Sequence, residues 1–356
     1  MIEDSEMIFY SESTIFQENH ATKSGGAIFI SGESVFEVTS NAEVTFDSNL
    51  ADDDGGAIAT SAVTSSSLFS FFFDKSELII SGSSCLFRNN LAGRNGGALS
   101  ILQGVSYSEP FGGGGSVFIG NSAGASGGAI YVSSPLGPTF RDCMFISNHA
   151  NIGGALFSVS SGVEKTGDFF VPLEIRRCSF KKNVANISGG AIDSIAGRDL
   201  IIESNFKNNT AKVGGALRLS GTASSIINSK FVENVSGEES GSAILNLGFI
   251  DNMENNAFSN NIFSCETGEY IGYDDSIDLY DNVCNGCDTE CIGCTIEGKT
   301  PICVETLDNT RSLGGTNGLN SLYILQGFWR STNDSLNIYQ CFNEDCLLYT
   351  SPSPRD

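Results

Sequence analysis

The chain of 356 residues carries 42 acidic against 19 basic residues, a formal charge of -23 that repels phosphate and removes the attraction behind most nucleic-acid binding. Its 41 Gly and 25 Phe beside only 7 Pro and 1 Trp describe a turn-rich protein with an aromatic interior rather than a disordered acidic tail. No run of about 18 apolar residues is present, and LFSFFF at 68–73 is too short to cross a membrane as a helix.

The chain opens on MIEDSEMIFYSESTIFQENH, which lacks a basic segment followed by an apolar one and is expected to begin inside a pattern, not at a secretion signal. That pattern is a repeat. Phe-x-x-Asn recurs as Phe16/Asn19, Phe46/Asn49, Phe87/Asn90, Phe118/Asn121, Phe145/Asn148, Phe180/Asn183, Phe206/Asn209 and Phe231/Asn234. A further pair, Phe258/Asn261, has no glycine pair after it. The others are followed by Gly25-Gly26, Gly55-Gly56, Gly96-Gly97, Gly127-Gly128, Gly153-Gly154, Gly189-Gly190, Gly214-Gly215 and a Gly-Ser-Ala at Gly241. An Ala stands five residues after the Phe in every copy down to Ala211, and Ser236 replaces it in the last.

Spacing between successive Phe residues runs from 25 to 41, so the anchors are fixed and the segment after Gly-Gly-Ala absorbs the variation, as insertions in a solenoid do. The stretches AIFISG, ALFSVS and LIIESNF alternate apolar and polar residues between Gly, Ser and Asn, and no segment holds a helical period. The repeat therefore predicts an all-β fold, a parallel β-helix whose coils pair about 4.8 Å apart. In such a stack the Phe rings pile up inside, the Asn amides form a ladder at a turn, and the glycine pair permits positive φ at a sharp corner.

The paired Phe-x-x-Asn and Gly-Gly-Ala-[Ile/Leu] anchors resemble the repeats of the chlamydial polymorphic outer-membrane proteins over roughly residues 10–265. The resemblance implies a right-handed parallel β-helix, a place on the cell surface, and a part in attachment to host cells. After residue 265 the sequence departs from that family, since no outer-membrane barrel pattern follows.

Residues 266–345 are expected to form a separate Cys-rich module. CNGCDTECIGC supplies Cys284, Cys287, Cys291 and Cys294, with Cys303 and Cys341 beyond. Paired Cys-x-x-Cys raises zinc, but so short a gap between the pairs leaves little chain to wrap a tetrahedral site, which favours disulfides of a small extracellular module. QGFWRSTNDSLNIYQCFNEDC resembles Cys-rich segments of large protist surface proteins, which often continue into membrane spans. CLLYTSPSPRD, residues 346–356, resembles a translated sequencing adapter and is expected to be non-native. Cys85, Cys143 and Cys178 precede an anchor Phe by two residues and read as inward small hydrophobes, with a bridge between Cys143 and Cys178 as the alternative.

Parallel β-helices also house polysaccharide lyases and hydrolases, which need paired carboxylates or a bound cation with a base. Asp52, Asp53 and Asp54 are the densest acids, but as neighbours on one turn they read as a solvated corner rather than a Ca²⁺ site. His20 and His149 follow a ladder Asn at a position that other copies fill with Leu50, Leu91, Ser122 or Val184, a surface position and not that of a base. No cofactor or metal motif appears. Glycosylation sequons stand at Asn186, Asn208, Asn234 and Asn333, of which Asn186 and Asn333 are the candidates because Asn234 belongs to the ladder. Segments 60–76, 104–115 and 162–172 read as aromatic-bearing loops, either contact sites or outer-wall packing. The expectation is a non-enzymatic adhesion or scaffold protein of the cell surface, a fragment of a larger and membrane-anchored chain, with a surface protein or glycan as partner and a polysaccharide-acting enzyme as the alternative.

Overall fold

The computed structural model describes residues 1–263 apart from gaps between strands, the longest at 62–75 and 160–172. Beyond them it describes two-residue strands within 269–340. Among the described residues there is no helix. Four sheets of nine strands each run the length of the repeat region, and in every sheet a strand pairs in parallel with the strand four places on. That order describes a chain that coils, laying each turn on the one before. One coil holds four strands, typified by Ile130–Ser133, Thr139–Arg141, Met144–Ile146 and His149–Ile152.

Alternation fixes which side chains enter the bore. In the first sheet the residue after Gly-Gly-Ala points inward, so that Ile28, Ile58, Leu99, Ile130, Leu156, Ile192, Leu217 and Ile244 stack in register and are buried. The third sheet carries the anchor Phe residues, each opposite its counterpart in the next coil. In the fourth sheet the two-residue strand admits only the small Ala51, Ala92, Ala123, Ala150, Ala185 and Ala211, at most 3% exposed, where the bore is narrow. One Phe removed from water contributes about 1.5–3 kcal/mol, so the core of each coil rests on a few such side chains.

Val105–Ser108 lies within the stretch read as an aromatic loop and is instead a strand of the second sheet, paired in register with Ser76–Ile79. Its Gly-rich flanks hid it. The other two segments lie almost wholly outside the described residues, as do all six tail cysteines, Cys284, Cys287, Cys291, Cys294, Cys303 and Cys341, and the last eleven residues. The described strands of the tail form three two-stranded antiparallel pairs.

Candidate functional site

The densest arrangement of polar groups is inside the wall. Each ladder Asn accepts two hydrogen bonds on Oδ1 from the preceding Asn, one from its backbone N–H at 3.0–3.1 Å. The second comes from that residue's Nδ2, at 2.8–3.0 Å. Its own Nδ2 then donates to the next Asn and, at 2.9–3.0 Å, to the carbonyl of the preceding coil's Phe. Asn49, Asn90, Asn121, Asn148, Asn183, Asn209 and Asn234 are 0% exposed, with both donors and both acceptor sites filled. That is the condition for burying an amide without loss.

One correction concerns what the ladder bonds to. The sequence suggests amides that bond their own copies at a turn, whereas the structure gives each of them a third partner in the aromatic wall. Asn90 Nδ2 donates to the Phe46 carbonyl, Asn183 Nδ2 to that of Phe145 and Asn209 Nδ2 to that of Phe180, each at 3.0 Å. Asn90, Asn183 and Asn209 are thus sealed inside the stack, tied to the strand before as well as to the amides on either side, and none of them reaches a surface where a ligand could meet it. The run continues through Asn261, so the pair without a glycine corner is the ninth rung.

The Phe rings beside the ladder form one column. From Phe16 to Phe258 successive centroids lie 4.6–5.0 Å apart with planes within 2–9° of parallel. Each such pair adds about 0.5–1.5 kcal/mol beyond area burial.

The glycine corner needs correction too. Only the first glycine of each pair adopts positive φ, from 62° at Gly189 to 73° at Gly25. The second has ordinary φ, and its reason is space. A Cβ built on Gly26, Gly56, Gly97, Gly128, Gly154 or Gly190 would meet the carbonyl oxygen of its counterpart in the next coil at 2.1–2.2 Å, Gly215 supplying the last of these. The left-handed turn also occurs where no glycine pair marks it. Glu18, Ser48, Asn89, Gly120, Ser147, Lys182, Asn208 and Glu233, each immediately before a ladder Asn, have φ between 52° and 62°. The varied residue types conceal that turn, and the absence of apolar side chains is its one trace in the sequence.

A second polar stack forms two residues before the anchor Phe. Cys178 N–H donates to Ser204 Oγ at 3.2 Å, Ser204 N–H to Ser229 Oγ at 3.1 Å, and Ser229 N–H to Asn256 Oδ1 at 2.8 Å. Cys85, Cys143 and Cys178 occupy this position as buried thiols, and no disulfide joins Cys143 to Cys178. Each of those two donates its thiol to the carbonyl two residues back, Arg141 and Arg176.

The outer wall carries ion pairs between neighbouring coils. Arg88 bonds Asp47 at 2.6 Å and holds its carboxyl below the ordinary range despite partial burial. Arg177 does the same to Asp142 at 2.7 Å. Burial works to raise Glu174, but Arg176 and Arg141 outweigh it and leave the group lowered. The three corner acids separate: Asp52 meets His20 at 2.8 Å, while Asp54 bonds the Arg94 guanidinium at 2.8 Å and accepts from Asn95. Among the described residues no group of three His, Cys, Asp or Glu side chains could hold a metal ion. His149 is exposed and lies 3.3 Å from Asn186 Oδ1, whose amide donates to Asn151 at 2.8 Å. Asn186 is thus accessible on the fourth sheet, and the hydroxyl of its sequon partner Ser188 is turned to Asp193. Asn333 lies outside the described residues.

Two carboxyls are buried. Burial pushes Asp193 up, although Ser188 and Arg218, the latter at 2.9 Å, bond its carboxylate. Asp199 has no such cation beside it; it meets Ser194 Oγ at 2.9 Å and Ser224 Oγ at 3.4 Å, and burial raises its pKa to about 6. Nothing around Asp199 in the sequence signals its burial.

No curated protein and no solved structure matches the chain. The Chlamydia polymorphic membrane protein repeat matches at residues 13–31, 43–61 and 115–133. The first two matches each run from the third-sheet strand bearing the anchor Phe, through the ladder Asn and the glycine corner, into the first-sheet strand; the third begins just before such a strand and ends likewise. The unit so defined is the segment in which the structure concentrates its ladder bonds, and the family in which it occurs is one of surface and outer-membrane proteins. The chain carries Chlamydia polymorphic membrane protein-type repeats and is a repeat protein of that type.

Proposed function

We propose that the chain is part of a cell-surface or extracellular protein that serves adhesion or surface scaffolding and has no catalytic centre. The observation that carries this reading is the allocation of the recurrent polar atoms. Each fully buried ladder amide commits its hydrogen-bonding capacity to the coils beside it, so the repeated residues build a wall and leave no reactive group aimed at a ligand. The repeat type supports a surface location. In this reading the coil is right-handed, the sense that parallel strand connections in one sheet adopt almost without exception. Residues 266–345 form the disulfide-stapled module, Asn186 and Asn333 carry glycans, and the whole protein is larger and membrane-anchored.

The test is a paired assay on the 356-residue chain. Beads coated with it are expected to bind cells or a glycan array above uncoated beads, and the soluble chain is expected to leave pectin and related glycans intact with and without divalent cations. Metal-dependent cleavage of any of these glycans would overturn the non-enzymatic reading. Bare-bead levels of binding across cells and glycans would overturn adhesion.

A further inference from the structure

The two ends of the stack are complementary. Asn19 directs its backbone N–H and one Nδ2 hydrogen to Asn49, which leaves Oδ1 and the second Nδ2 hydrogen facing away from the stack with no earlier rung among the described residues. Asn261 is the converse: its Oδ1 is filled by Asn234 and one Nδ2 hydrogen by the Phe231 carbonyl, so its backbone N–H and other Nδ2 hydrogen face outward beside the Phe258 carbonyl. Donors at one end thus match the acceptor at the other in the arrangement that every internal rung repeats.

The same holds for the strands and the rings. Leu50 and Asp52 donate their N–H groups back to Asn19 and Ala21, so the equivalent N–H groups of His20 and Thr22 point out of the first coil. Phe16 and Phe258 each stack on one neighbour only within the column. Met7, opposite the fully buried Phe36, is 37% exposed because the first coil lacks a cover. Solenoids end in caps with a polar outer face, and among the described residues this coil instead bares core side chains and four unpaired strand edges.

We propose that the first coil of one copy docks on the ninth coil of a second copy, continuing the Asn ladder, the Phe column and all four sheets head to tail. Asn261 N–H and Nδ2 of one copy donate to Asn19 Oδ1 of the next, whose Nδ2 donates to the Phe258 carbonyl. Such a contact joins unlike surfaces, so it does not close on itself and adds copies along the stack axis.

Cysteine cross-linking of the full chain tests this. By the register of the third sheet, residue 259 of one copy lies beside residue 17 of the next, as Val232 lies beside Ser259 within the chain. In-register parallel neighbours stand about 4.8 Å apart, within disulfide reach. Under mild oxidation Gln17→Cys/Ser259→Cys is expected to give a 17–259 peptide and a ladder of multimers, and the intrachain control Val232→Cys/Ser259→Cys a monomer with a 232–259 link. Formation of the control link without any 17–259 link would overturn the proposal, and would point to the C-terminal segment covering its own ninth coil. In sedimentation velocity, Thr22→Pro removes an outward donor and is expected to raise the concentration at which larger species form by roughly tenfold. Unchanged association in a Thr22→Pro chain that keeps the wild-type β-sheet spectrum would also overturn it.

Discussion

Asp199→Asn should stabilise the coil at neutral pH and leave it unchanged in acid. The carboxyl is 2% exposed, and its two partners are the neutral hydroxyls of Ser194 and Ser224. Burial raises its pKa from 3.8 to about 6, so the folded state holds its proton more tightly than the unfolded chain does. The sign follows. Below the unfolded value both states are protonated and the group costs nothing; between the two values the unfolded state releases its proton first; above the folded value a buried carboxylate is retained at full cost. Over the whole window the cost is on the order of 3 kcal/mol, from about 1.4 kcal/mol per pK unit. An amide of the same shape can accept from Ser194 and donate to Ser224 without charge. Urea unfolding of both proteins at about pH 4 and about pH 7.5 isolates the effect, because every other titrating group, Asp193 included, is common to the pair. The variant should gain about 2–3 kcal/mol at the higher pH and less than about 1 kcal/mol at the lower. A gain of the same size at both, or a loss at the higher pH, would refute the assignment of Asp199 as a buried acid without a cation.

Asn148→Ala strips Asn121 of the acceptor for its backbone N–H and one amide hydrogen and the Phe118 carbonyl of its donor, so it should cost about 3–5 kcal/mol in denaturant unfolding. A loss under about 1 kcal/mol would place the ladder outside the stabilising core. Gly128→Ala should be as damaging as Gly127→Ala, by at least about 3 kcal/mol in thermal or urea unfolding, although only Gly127 has positive φ, because its Cβ would lie 2.1 Å from the Gly154 carbonyl oxygen. Cys178→Ser should change stability by less than about 1.5 kcal/mol, since Ser204 fills the same position one coil on, and native Cys143 and Cys178 should resist a thiol reagent until the protein unfolds. Arg94→Ala, which removes an ion pair whose guanidinium is 61% exposed, should cost under about 1 kcal/mol and less in high salt.

The parts of this fold written plainly in the sequence are those for which each coil demands one residue type. Only Phe fills the column beside a neighbouring Phe, and only an amide with two donors and an acceptor can both receive from one coil and donate to the next, so Phe-x-x-Asn recurs without substitution from Phe16 to Asn261. The carbonyl that each amide also serves, Phe46 for Asn90 or Phe145 for Asn183, carries no mark in the sequence because every residue has one. The turn before the ladder Asn asks for a left-handed backbone that Glu, Ser, Asn, Gly and Lys all supply when solvent surrounds the side chain, and so no residue type repeats there. The second glycine was legible as a glycine but not as a contact: its requirement comes from the coil above, which local sequence does not contain. Val105–Ser108 escaped for a related reason, since its partner Ser76–Ile79 lies across an insertion and both its flanks look like loop.

The direction of the ladder bears on how the stack is assembled. An apolar bore alone would tolerate a coil slipped along its neighbour, because Ile on Leu packs nearly as well as Ile on Ile. The amides do not tolerate it: displaced by one residue, an Asn side chain would leave the bore and strand the N–H, the Nδ2 hydrogen and the Phe carbonyl that it serves. Register is therefore set once per coil, by a cost that is incurred only when the register is wrong. Because each amide donates toward the higher-numbered coil and accepts from the lower, a completed coil presents its successor with two donors and one acceptor already in place, as Asn209 does to Asn234. A stack so built carries a polarity from end to end, and insertions as long as 62–75 and 160–172 fall between strands where they leave that polarity untouched.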